Sequence, residues 1–198
     1  MPGRRGTPAD QLARDYGVSL NEFASSVIDV IVDTHSASKA DRGIAHRREV
    51  CAAVTAAMVV ALEASALSDE ERTRLGPMIH DVLLPFWSKH CASDPDAATY
   101  IATRIEHYTA RRIAGSHVKS AVNLVGALLE AMEIPADLRG RLNERLVPAF
   151  AHRLVGDTYR INDVRNRHGI DLPLLATLCG LLQMSLSYDS VLRMLRIG

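Results

Sequence analysis

The stretch Leu138-Arg-Gly-Arg-Leu-Asn-Glu-Arg-Leu-Val-Pro-Ala-Phe-Ala-His-Arg-Leu154 places Leu138, Leu142, Leu146, Phe150 and Leu154 four residues apart throughout. Side chains spaced by four return to one face of an α-helix, whereas a strand repeats every two. The segment therefore predicts an amphipathic helix with a single apolar face. Working outward, Ile101, Ile105 and Tyr108 form a second stripe of this kind, and Ile44, Cys51, Val54, Met58 and Leu62 a third. No alternating run of Val, Ile and Thr argues for a sheet, so the expected class is all-α.

Two segments carry apolar residues on nearly every side. Val118–Met132 is interrupted at Lys119, Ser120, Asn123 and Gly126; the other is Leu172–Leu186. A helix without a polar face is enclosed by other helices or lies in a subunit contact. Val118–Met132 is expected to be the central helix and Leu172–Leu186 a self-association face. Capping signals divide the chain further. Ser19-Leu-Asn-Glu22 and Ser68-Asp-Glu-Glu71 are capping boxes, and Thr7-Pro8-Ala9-Asp10 and Ser93-Asp94-Pro95-Asp96 read as helix starts. Glycines 76, 115, 156 and 169 suit helix ends, and Pro85 and Pro148 should kink or split their helices. These marks predict a single domain of about eight helices over 7–198, orthogonal or bundle-like, behind a loose N-terminus at 1–6.

The chain has 198 residues, 47% of them hydrophobic, with 23 basic and 23 acidic side chains. A domain of this size buries enough surface to need neither disulfide nor structural metal. Zero net charge removes the global argument for nucleic acid, which is usually met by a basic protein. The basic residues are almost all Arg, with Lys only at 39, 89 and 119, and this usage together with abundant Ala points to a GC-rich bacterial genome. Cys51, Cys91 and Cys179 are scattered and form no C-x-x-C, as expected of reduced cytoplasmic thiols. No apolar h-region follows Met1-Pro-Gly-Arg-Arg, and the apolar runs Ala52–Leu62 and Pro173–Leu182 fall short of the roughly 20 residues that a membrane span needs. A soluble, cytoplasmic protein without membrane contact is the expectation.

Four groups of residues bear chemistry. His80-Asp81, with His46 upstream, resembles the opening of the HD-domain metal-dependent phosphohydrolases. That resemblance implies His46, His80 and Asp81 as ligands of a divalent metal, with Asp157 or Asp163 as the distal carboxylate, holding an ion that activates water. Val82-Leu83-Leu84 stand where that family continues with Gly-Lys. Gln11–Phe23 resembles the helix-turn-helix of bacterial repressors through Ala13, Gly17-Val18-Ser19 and the apolar Leu12, Tyr16 and Phe23. Its would-be recognition helix, Leu20–Val27, has no Arg or Lys and carries Glu22, so it lacks cations for phosphates.

The third group is His152–His168, in which Arg153, Asp157, Arg160, Asp163, Arg165 and Arg167 gather. Arg153, Asp157 and Arg160 share a helical face and read either as a solvated salt-bridge ladder or as a site for an anionic ligand. The fourth group, Arg104, His107 and Arg111, reads as a solvated helix face. No H-E-x-x-H, G-x-S-x-G or phosphate-cradling glycine loop is present. The sequence therefore favours a protein without a cofactor that acts by binding a protein partner or a small ligand. The HD-type hydrolase and a DNA-binding regulator are the alternatives.

Overall fold

The computed structural model describes residues 20–35, 43–78 and 96–168. These form six helices: α1 (Leu20–His35), α2 (Gly43–Ala64), α3 (Asp69–Met78), α4 (Ala97–Thr109), α5 (His117–Ala131) and α6 (Ala136–His168). The described residues contain no strand, which bears out the all-α class; they hold six helices where about eight were expected of the whole chain. Helices α1, α2, α4, α5 and α6 share one hydrophobic core. The Thr7–Asp10 signal, Pro85, Cys91, Cys179, Gly169 and the Leu172–Leu186 segment lie outside the described residues.

The periodic stripe of the C-terminal segment behaves as its spacing predicts. Leu142, Leu146, Phe150 and Leu154 are buried on α6, and the buried face continues to Ile161. Pro148 sits on the exposed side and α6 runs through it unbroken for 33 residues. Gly156, expected at a helix end, also lies inside α6. The Ser68–Glu71 box closes as its chemistry dictates. The Ser68 N–H donates to Glu71 Oε2 at 2.6 Å, and the Glu71 N–H donates to Ser68 Oγ at 3.2 Å.

The central helix is α2 rather than the segment 118–132. Every residue from Val50 to Met58 is buried, and α2 packs against α1, α4, α5 and α6. The cause is its alanines. Ala52, Ala53, Ala56, Ala57 and Ala61 let neighbouring backbones approach from several directions, at no side-chain entropy cost and with the best helix propensity of any residue. Helix α5 is instead amphipathic: Leu124, Val125, Leu128 and Leu129 are buried, while Val118 and Val122 face outward.

Two tight turns set the site. The α5–α6 turn places Glu133 at φ +53° and returns the Ile134 N–H to the Leu129 carbonyl at 3.0 Å, burying Ile134 beneath the helix end. The α4–α5 turn passes through Gly115 at φ +73° to Ser116, whose hydroxyl accepts the Lys119 N–H at 3.3 Å as the cap of α5. Two α5 side chains hold this turn. Ser120 Oγ accepts the Ile113 N–H at 2.9 Å and donates to the Ile113 carbonyl at 3.2 Å, and Asn123 donates to the Arg111 carbonyl at 2.9 Å.

Candidate functional site

The strongest polar cluster joins α2 to α4. Glu49 is 2% exposed, in the second turn of α2. Tyr100, Arg104 and Tyr108 recur every four residues on α4, so one face presents all three to it. Glu49 Oε1 accepts from Arg104 Nε at 2.9 Å, from Arg104 Nη2 at 2.5 Å and from the Tyr108 hydroxyl, while Oε2 accepts from the Tyr100 hydroxyl. The Arg48 guanidinium lies 4.0 Å above the Tyr100 ring.

Burial pushes the Glu49 carboxyl up. The hydrogen bonds from Arg104, Tyr100 and Tyr108 and the Arg104 charge outweigh it and hold the group below its ordinary value. Burial and the adjacent carboxylate both push the Tyr108 hydroxyl far up and the Tyr100 hydroxyl up. Both phenols stay protonated at neutral pH and the carboxylate stays ionised. The cluster is a closed charge-assisted knot that ties two helices together, with every member occupied by another. Arg104 is thus not on a solvated face, although His107 and Arg111 are exposed.

The His152–His168 stretch divides in two. Arg153 and Asp157 do pair, Nε to Oδ2 at 2.6 Å, but with side chains 6% and 1% exposed. The ion pair lies in the core and not on a surface ladder. Arg153 also lies 5.5 Å from the Phe23 ring, which meets Phe150 edge-on at 5.1 Å. Arg165 turns to α3, its Nε 3.1 Å from both Glu71 carboxylate oxygens. The Ser68 N–H and Arg165 hold the Glu71 carboxyl below its ordinary value. Thr158 Oγ1 contacts the Ala61 carbonyl at 3.4 Å, and Asn162 Oδ1 accepts the Ala66 N–H at 2.7 Å. This end of α6 therefore clamps the α2–α3 turn. Asp163 is half-buried, and the side chains of Arg160 and Arg167 lie outside the described residues.

Of the metal set implied by the HD resemblance, His80 and Asp81 lie outside the described residues. His46 is half-buried on the first turns of α2, and Asp157 faces the Arg153 guanidinium. Among the described residues, no three His, Cys, Asp or Glu side chains gather as a metal site. Of the helix-turn-helix resemblance, only the second helix is described. Phe23 and Val27 are buried, and the exposed face of α1 carries Glu22, Asp29 and Asp33, a set that repels phosphate. Among the described residues, no helix is long and apolar enough to cross a membrane.

Beside the clamp lies a cleft of about 530 Å³ between the end of α2, Arg72 of α3, the 112–116 turn and the start of α5. Its basic side chains are held in place. Arg112 Nε meets Glu63 Oε2 at 2.8 Å. Arg72 Nη1 meets Asp69 at 2.9 Å and its Nη2 donates to the Ser65 carbonyl at 3.3 Å. His117 Nε2 lies 3.0 Å from Thr158 Oγ1, which fixes the ring at the first residue of α5. Sequence reasoning missed both this cleft and the Glu49 knot. The knot had one legible signal, the spacing Tyr100-x-x-x-Arg104-x-x-x-Tyr108; the cleft had none, because turn backbone builds much of its wall.

Compared with known proteins, the chain matches no family model, no curated protein and no solved structure.

Proposed function

We propose that this chain is a helical binding protein that holds a small anionic molecule, bearing phosphate or carboxylate, in the cleft at the start of α5. One observation carries the reading: Arg72, Arg112 and His117 converge with the α5 N-terminus on a cavity of about 530 Å³. The first turn of a helix directs backbone N–H groups outward with roughly half a positive charge. A guanidinium fork matches the two oxygens of a carboxylate or phosphate. Glu63 fixes Arg112 and Thr158 fixes His117 beforehand, so little side-chain freedom is lost on binding. Among the described residues, Glu63 is the single carboxylate on the wall against Arg72 and Arg112, so their sum is positive. The volume falls within the range of pockets that take metabolite-sized ligands, roughly 300–1,000 Å³.

Calorimetric titration of the full chain with inorganic phosphate, succinate and glycerol phosphate tests this. The expected result is saturable, salt-sensitive binding to at least one of them, weakened at least about tenfold in Arg112→Met and unchanged in Arg145→Met. Absence of saturable binding to all three, or equal binding by Arg112→Met, overturns the reading.

A further inference from the structure

The 110–116 turn has a second side. There a broad groove of about 840 Å³ runs between the end of α4, α5 and the start of α6. Its cations are Arg111, Arg112 and Arg139, with the His107 ring beside them, and they are opposed within the groove by the Glu130 carboxylate. In a chain whose total charge is zero, this is a local concentration of positive charge. Burial, and after it the charges of Arg104 and Arg111, push the His107 ring below its ordinary value and favour its uncharged form. Arg111 is exposed, and its Nη2 lies 3.4 Å from His107 Nε2. Arg139 spends its Nε on the Ile134 carbonyl at 2.7 Å, which anchors the fork beside the groove.

The floor differs from the rim. Val122 is 48% exposed and Ile113 is 41% exposed. One turn beyond Val122 stands Gly126, where a Cβ would meet nothing within 4 Å. A glycine inside a helix costs about 0.5–1 kcal/mol against alanine, and packing within the described chain does not require one here. Its effect is to leave the α5 backbone bare where it lines the groove. An apolar floor between anchored cations suits a segment that carries apolar side chains on one face and carboxylates along its edges. It does not suit a phosphate chain, which would find few cations and no use for the floor.

We propose that this groove docks an acidic amphipathic segment of a partner protein, with apolar side chains over Val122 and Gly126 and carboxylates against Arg111 and Arg139. The groove shares Arg112 and Ile113 with the anion cleft, but Arg111, Arg139 and Gly126 border only the groove, and Arg72 and His117 only the cleft.

The test uses the full chain, isotopically labelled, and a short peptide of Glu and Leu with its leucines at helical spacing. An isomer with scattered leucines, oligoglutamate of equal length and single-stranded DNA serve as competitors. The expected result is a set of amide shifts confined to residues 107–113, 122–130 and 139. Affinity should fall at least about tenfold in Gly126→Leu and in Arg111→Glu with Arg139→Glu, and stay unchanged in Arg72→Met. Circular dichroism of Gly126→Leu should match that of the parent, because the added side chain enters open space. The proposal is overturned if the peptide does not bind, if its shifts map elsewhere, or if Gly126→Leu binds as the parent does. Oligoglutamate or DNA binding as tightly as the patterned peptide also overturns it, as does displacement of the peptide by a second copy of the chain at high concentration.

Discussion

Replacing Glu49 with Ala should remove a large fraction of the stability of this protein. The substitution leaves the Arg104 guanidinium, its side chain 23% exposed, without its carboxylate, and leaves the wholly buried Tyr108 hydroxyl without an acceptor. Breaking a buried ion pair from one side costs about 3–5 kcal/mol. Partial access of water to Arg104 moves the ionic part toward the lower end, and the stranded Tyr108 hydroxyl adds about 1–3 kcal/mol. Tyr100 reaches water and contributes little. A loss of about 4 kcal/mol is expected, set against a total of about 5–15 kcal/mol for a typical domain. Glu49→Gln keeps an acceptor and should lose about half as much. Urea unfolding followed by far-ultraviolet circular dichroism at neutral pH measures each value. The triple variant Glu49→Leu, Arg104→Met, Tyr108→Phe removes every charged member and should recover most of the loss, because an apolar replacement of a buried pair is often neutral. A loss below about 1 kcal/mol in Glu49→Ala, or a triple variant no better than that single one, would refute the account of the knot. The pH dependence supplies a second check. The folded carboxyl titrates below its ordinary 4.5, so in that window the unfolded chain binds more protons. Stability contributed by Glu49 is complete above pH 4.5 and is lost as pH falls through the folded value, and Glu49→Gln should flatten that slope.

Other outcomes follow from the same geometry. Gly140→Ala and Gly156→Ala each place a methyl group in open space on α6 and should stabilise by about 0.5–1 kcal/mol, read as a rise in thermal midpoint. Glu133→Gly should stabilise by up to about 1 kcal/mol, since the residue holds a left-handed conformation at φ +53° that glycine adopts freely; loss of stability would indicate that the Glu133 side chain makes a needed contact. Ala57→Leu overfills the α2 core and should cost about 1–3 kcal/mol by urea unfolding. His107 should titrate below its ordinary 6.5 by proton NMR, and Arg111→Gln should move it upward; an unchanged midpoint would remove Arg111 from the causes.

The legible part of the fold was the part written locally. The four-residue step from Leu138 to Leu154 and the box Ser68–Glu71 each depend on residues within a few turns, and both hold. The central position of α2 was not legible, because an apolar stripe states which side chains are greasy and not how closely neighbours approach. Its alanines decide that, and they carry almost no periodic signal. The polar sites failed for a related reason. Glu49 meets Arg104 across 55 residues, and Glu71 meets Arg165 across 94, so neither partnership shows in any window of sequence. Arg153 and Asp157 were paired correctly by their spacing, but the spacing could not say that the pair is buried, with Phe23 of α1 against Arg153.

The enclosure of α2 bears on how such a protein can change over generations. Four helices pack on one rod that has five buried alanines, so a larger residue at any of them has no free space to enter and strains its surroundings. Descendants can alter the outer helices one at a time, on their exposed sides, while the inner rod accepts change only in concert with two or more grooves. Variation among natural versions should therefore be lowest across Val50–Met58, where a lineage needs paired substitutions to drift at all.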